Sequence, residues 1–250
     1  MQLCYVHESE NHGHYSLAAL GVAAAVWPDL SARFGRWRTG LRARYGIPLS
    51  REPRARDLLA GGRGPGRFVN PARRLTPEQG TMAFLDGLRV IEDAARDLGG
   101  IEVASVCLSR RNAKDHRRTT LNILLEQLHA AATLDQCHRY LLFDEKRRGL
   151  ATGACDEFAA PDPVPHRHAV TDDGAETIVD CAYPLIGNPY FRKYGEDGLL
   201  LAANLVAHVR LLREEEPDPE KLSLGIHRSF DILDHAVGGR ARAPRSGKAA

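Results

Sequence analysis

The chain has 250 residues, 43% of them hydrophobic, which is enough to bury a substantial core as one large domain or a domain with an insertion. No apolar run reaches the roughly 18 residues that a membrane span needs, and the first residues lack the charged and apolar regions of a secretory leader. The expectation is a cytoplasmic protein without a membrane partner. Five cysteines at wide spacing, with no C-x-x-C pair, argue against a disulfide framework and against a cysteine-built zinc module.

The net charge of +2 hides a segregation. Residues 28–74 hold twelve arginines and three acids, a local charge of +9, and residues 238–250 add four cations and no acid. The rest of the chain is acidic. Such a distribution marks either a solvated arginine face or a surface for a polyanion.

In chain order, Leu3 to Val6 reads as a strand, Ser9 to His14 as a turn, and Tyr15 to Trp27 as a second strand buried on both faces and ended by Pro28. Asp29 suits a helix N-cap, and Leu30, Phe34, Trp37, Leu41 and Tyr45 recur at helical spacing, with Arg33, Arg36, Arg38, Arg42 and Arg44 on the opposite face. Residues 47–75 form a long connection with a short helix near Asp57-Leu58-Leu59. Thr76-Pro77-Glu78-Gln79 is a capping-box signature that opens a helix with Phe84, Leu88, Ile91 and Ala95 on its apolar stripe.

Ile101 to Leu108 is a strand, Asp115 to Gln136 a helix, and Arg139 to Phe143 a strand closed by Asp144 and Glu145. Residues 149–175 are weakly patterned, Thr177 to Cys181 is a short strand, Gly198 to Glu214 a strong amphipathic helix, and Lys221 to Val237 a further helix. The order defines an α/β chain in which a hairpin feeds a partly parallel sheet, an arrangement that includes folds of the ribonuclease-H type. One domain over residues 1–237 is expected, with an insertion over about 28–98, followed by a disordered basic tail over 238–250.

Four separated stretches resemble, in order, the domain of unknown function 3800 family. Tyr5-Val6-His7-Glu8-Ser9 is similar to its opening Y-[IV]-D-E-S-G, and Glu52-Pro53-Arg54-Ala55-Arg56-Asp57-Leu58-Leu59 with Gly61 to Gly64 to its E-[IL]-[HK]-A-x-[DE]-[IL] segment and glycine-rich continuation. Leu141-Leu142-Phe143-Asp144 resembles its central strand ending in aspartate, and Leu200 to Ala207 its Q-L-A-D-L-[VI]-A helix. The resemblance implies a ribonuclease-H-like mixed sheet flanked by helices, with a helical and loop insertion after the first hairpin. It also implies a nuclease or phosphodiesterase in which acids from distant elements hold Mg²⁺ or Mn²⁺, generate hydroxide and stabilise the leaving oxygen.

By that resemblance the acid positions are His7, Glu52, Asp144 and Asn204, and two of them are not acids. Glu52 and Asp144 supply about −2 where a full set supplies −4, so Mg²⁺ or Mn²⁺ is held less strongly. Neutral His7 could offer a ring nitrogen and Asn204 its carbonyl. Strand alternation points Glu8 away from His7, although a bulge could turn it inward, so Glu8 stays a candidate.

His7, His12 and His14 near Cys4, and His166 with His168, each lack a clear fourth ligand, which argues against zinc. Serine-hydrolase, Walker, H-E-x-x-H and dinucleotide-binding patterns are missing from the sequence.

Three readings compete. The first is a metal-dependent nuclease whose nucleic acid is delivered by Arg33, Arg36, Arg42, Arg54 and Arg56. The second is a catalytically inactive relative that binds nucleic acid or a protein partner. The third is a small-molecule enzyme using His7 as general base in a deep apolar pocket.

Overall fold

Alternating apolar residues in the first twenty-odd positions build a hairpin, β1 (Gln2–Glu10) and β2 (His14–Ala23), paired antiparallel. Its turn is set by Asn11, whose Oδ1 accepts from the Gly13 and His14 amides at 2.9 and 2.6 Å. A computed structural model describes residues 1–49, 53–60, 75–110, 115–135, 137–158, 167–170, 176–179, 189–194, 197–216, 219 and 224–237. Glu52, the glycine-rich segment 61–66, His166 and the basic tail 238–250 lie outside the described residues.

The hairpin continues into α1 (Trp27–Tyr45), α2 (Ala55–Leu59), α3 (Pro77–Leu98), β3 (Ile101–Ser109), α4 (His116–Asp135), β4 (Arg139–Asp144) and α5 (Arg148–Phe158). A short ribbon of β5 (Arg167–Val170) and β6 (Glu176–Val179) follows, then β7 (Tyr190–Arg192) and α6 (Gly198–Glu214). A 3-10 helix, Ile226–Leu233, is the last described element.

The main sheet has the order β3-β2-β1-β4-β7. The first three strands form an antiparallel meander, and β4 and β7 add in parallel to β1. A five-stranded mixed sheet flanked by helices is an α/β architecture compatible with a ribonuclease-H-like fold. On one face Tyr5, Ala18, Leu20, Val22 and Leu142 pack with α1, α2, α3 and α6; on the other Val6, Leu17, Ala19 and Phe143 pack with α4 and α5. Successive strand residues thus feed separate cores, as a period of two requires when both faces are covered.

Gly87 sets how closely α3 approaches α6. A Cβ there would lie 2.6 Å from Leu205 Cδ1 and 2.8 Å from Trp37 Cζ2, a distance side chains do not tolerate. The capping box of α3 forms as expected, with Gln79 N donating to Thr76 Oγ1 at 3.2 Å and Thr76 N to Gln79 Oε1 at 3.0 Å.

Several boundaries differ from the sequence expectation. β2 stops at Ala23 and α1 already begins at Trp27, because Pro28 sits in the first helical turn, where its missing N–H costs nothing. The weakly patterned stretch after Gly149 opens with α5, which starts at Arg148, and the expected helix from Lys221 is a 3-10 helix over Ile226–Leu233. No helix among the described residues is long and apolar enough to cross a membrane.

Candidate functional site

The pairing of β1 with β4 ends at Val6 opposite Phe143, whereas β1 runs on to Glu10. His7 to Glu10 therefore overhang the C-terminal end of β4, and a cleft opens there. Crevices at the carboxyl ends of parallel strands are where α/β sheets bind ligands. Along the overhang the side chains alternate: Glu8 follows Val6 toward α4 and α5, while His7 and Ser9 face α6. Glu8 thus stays opposite His7 and no bulge turns it inward.

Asp144 ends β4, is buried, and accepts from the Lys146 backbone N–H at 3.2 Å, capping the 3-10 turn Glu145–Arg147. Asn204 comes from the middle of α6. It is also buried, and every polar atom of its amide is committed. Oδ1 accepts from Ala55 N at 2.9 Å, and Nδ2 donates to the Glu8 carbonyl at 3.1 Å and to His7 Nδ1 at 3.2 Å. A helix, a strand and the start of α2 are tied together by one side chain.

That network settles the histidine tautomer. The Glu8 amide N–H meets His7 Nδ1 at 2.8 Å, and with Asn204 Nδ2 it forms a second donor to the same nitrogen. The Glu8 carbonyl, 3.0 Å from Nδ1, is already served by Asn204. Nδ1 accepts, so the ring proton lies on Nε2, and Nε2 is buried without a hydrogen-bond partner.

Burial pushes the His7 pKa from 6.5 down to about 3, with Arg54 and Arg147 lowering it further and Asp144 opposing them. The ring is neutral at pH 7, with its N–H buried.

Desolvation of this ring links stability to pH. The folded protein favours the neutral ring and the unfolded chain charges it between pH 6.5 and about 3. The contribution is complete above the unfolded pKa and is lost as pH falls, by up to about 1.4 kcal/mol per pH unit. His7→Asn keeps an acceptor for the Glu8 amide and removes the titration. It is expected to flatten the acid limb of urea-unfolding stability between about pH 4 and 6; an unchanged limb would place the proton uptake on another group.

The rest of the cleft carries four cations and three carboxylates among the described residues. Arg54, Arg56, Lys146 and Arg147 line it with the carboxylates of Glu8, Glu10 and Asp144. Two of those carboxylates are committed: Glu8 pairs with Arg147 and accepts the Tyr15 O–H at 2.6 Å, and Glu10 holds Arg117 at 2.9 Å. Burial pushes the Tyr15 phenol up, which keeps it a donor. The Arg54 guanidinium lies 5.9 Å over the Tyr194 ring, which is tilted against His7 at a centroid distance of 4.8 Å. Arg54 and Lys146 have no carboxylate partner among the described residues, and Arg56 reaches only Asp57, at 3.9 Å.

Three of the four motif positions, His7, Asp144 and Asn204, therefore converge; Glu52 lies outside the described residues. Arg54 and Arg56 join them. Arg33, Arg36 and Arg42 do not line the cleft: they sit on the outer side of α1, where Arg33 binds Asp97 at 2.8 Å.

The sequence reading missed Lys146 and Arg147, although the basic run directly after Asp144 was a usable signal. It also missed Ser9 and His208, joined Oγ to Nδ1 at 2.7 Å across 199 residues, for which no local signal exists.

The described donor set does not suit a pair of divalent ions. Hard cations want several free oxygens, and here Asn204 Oδ1 is taken, Glu8 is paired, His7 carries its proton on Nε2, and Asp144 alone offers an uncommitted carboxylate oxygen. No three His, Cys, Asp or Glu side chains among the described residues gather as a metal site. His12 and His14 sit at the hairpin turn, away from His7. In comparisons with known proteins the chain matches no family model, no curated protein and no solved structure.

Proposed function

We propose that this chain is a nucleic-acid-binding protein of ribonuclease-H-like architecture, a relative of the domain of unknown function 3800 family, that holds phosphodiester groups in the cleft at the ends of β1 and β4 without two-metal hydrolysis. The observation that carries this reading is the loss of acid at two motif positions, His7 and Asn204, beside a group of cations. Where the resemblance implies converging acids, the described residues of the cleft hold a neutral His7 and three cations, Arg54, Arg56 and Lys146, against one uncommitted carboxylate, Asp144. An anionic oxygen gives the guanidiniums of Arg54 and Arg56 a charge-assisted acceptor. The protein is expected to work in the cytoplasm, with nucleic acid as its partner in preference to another protein.

A second reading, a nuclease with a reduced Mg²⁺ or Mn²⁺ site, draws support from Asp144, a buried acid at the C-terminal end of β4. Labelled single- and double-stranded DNA and RNA, incubated with the protein in Mg²⁺ or Mn²⁺, separate the two. The binding reading expects the nucleic acid to stay intact. Cleavage that Asp144→Ala abolishes would favour the nuclease.

A further inference from the structure

The two edges of the main sheet differ. At one edge β7 is three residues long, which offers little to a further strand. At the other β3 runs for nine residues, and among the described residues only its first part is covered, where the Val103 N–H donates to the Ala236 carbonyl at 2.7 Å. That bond fixes which backbone groups point outward. With a period of two, the N–H and C=O of Ser105 and Cys107 also turn away from β2, and among the described residues they have no backbone partner.

Proteins usually blunt such an edge with a lysine, a proline or a bulge. Ala104 to Ser109 contain no charged residue and no proline, and the pairing of β3 with β2 runs unbroken from Ile101 to Ser109. Ser105 and Cys107 are partly exposed. The stretch is built to pair and is left open.

We propose that this edge is a self-association surface, on which β3 pairs antiparallel with β3 of a second copy about a two-fold axis at Cys107. The stretch is complementary to itself in that register. Val106 falls opposite the partner's Leu108 on the face that packs with α4, while Ser105 falls opposite the partner's Ser109 and Cys107 opposite the partner's Cys107 on the other face. Arg110, the first charged residue after β3, falls opposite the partner's Ala104, so no like charges meet. A foreign strand would need no such match, which favours a second copy as the occupant. The two five-stranded sheets become one of ten strands, and the two clefts open at opposite ends of it. The proposal does not depend on what the cleft binds.

Light scattering during size exclusion, over a dilution series into the micromolar range, tests it. Twice the chain mass is expected at the higher concentrations. Cys107→Pro removes an outward N–H at the axis, twice in each dimer by symmetry, without touching the bonds to β2, and should weaken association about tenfold or more. Cys107→Ala keeps the N–H and should remain dimeric. Amide exchange followed by NMR should show Ser105 and Cys107 slowing by about tenfold or more as concentration rises, since their protection comes from the partner strand. A monomer throughout the series would overturn the proposal, and so would a dimer in which these two amides exchange as fast as in dilute protein. If Cys107→Pro does not fold, the exchange measurement on the natural chain still decides.

Discussion

Replacing Asn204 by alanine is expected to lower the stability of the chain by about 3 kcal/mol, because the truncation strands several buried polar groups at once. The Ala55 amide loses its acceptor at 2.9 Å, and the Glu8 carbonyl and His7 Nδ1 lose their shared donor at 3.1 and 3.2 Å. A single buried group left without a partner costs about 1–3 kcal/mol, and His7 Nδ1 keeps the Glu8 amide, so the three losses do not sum fully. For a chain of this size the melting temperature should fall by roughly 6–12 °C.

Restoring the acid that the resemblance places here would not help. Asn204→Asp still accepts from Ala55 but sets lone pairs against the Glu8 carbonyl and against a ring nitrogen that is itself an acceptor, so it should also destabilise at pH 7. Calorimetry of both variants checks this; a melting temperature unchanged in Asn204→Ala would mean that the amide is not the tie between α6, α2 and β1.

The second large effect is on binding. Arg54 and Arg56 line the cleft from the start of α2, and neither has a close carboxylate partner among the described residues. If each neutralises one phosphate, removing both should reduce the slope of log affinity against log salt by roughly 1.4 for a single strand. At about 0.15 M salt that corresponds to roughly fifteenfold weaker binding. Arg54→Ala/Arg56→Ala, measured over a salt series, is compared with Arg36→Ala/Arg42→Ala on the outer side of α1. Equal losses from the two pairs would indicate diffuse attraction to a basic surface; a loss confined to the cleft pair is the expected outcome.

What could be read from the sequence follows from how local each cause is. α6 was legible over its full length, Gly198–Glu214, because apolar periodicity is a property of the segment itself. The capping box at Thr76 and Gln79, the stripe of α1, and Asp144 at a strand's end were legible for the same reason. The orientation of Glu8 opposite His7 followed from the two-residue period of a strand.

Other features depend on distant chain. β7 is three residues long and exists through its pairing with β4, and β5 and β6 are made by each other. The burial of Asn204 could be expected from its apolar neighbours, but its partners lie 149 and 196 residues away, so the sequence could not show that its oxygen was already spent on Ala55. The meaning of His7 changed for that reason. As a letter in a motif it reads as a substitute ligand; among its hydrogen bonds it is a buried neutral ring whose Nδ1 is already engaged by Glu8 N and Asn204 Nδ2.

In the proposed function this cleft holds anions by its own cations, not through a bound metal ion. The most direct test is the affinity for single-stranded DNA measured first in EDTA and again in excess Mn²⁺, with the natural chain and Asp144→Ala side by side. The predicted result is tight binding in EDTA, changed little by Mn²⁺ and not weakened by Asp144→Ala. Binding that appears only with Mn²⁺ and disappears with Asp144→Ala would contradict it.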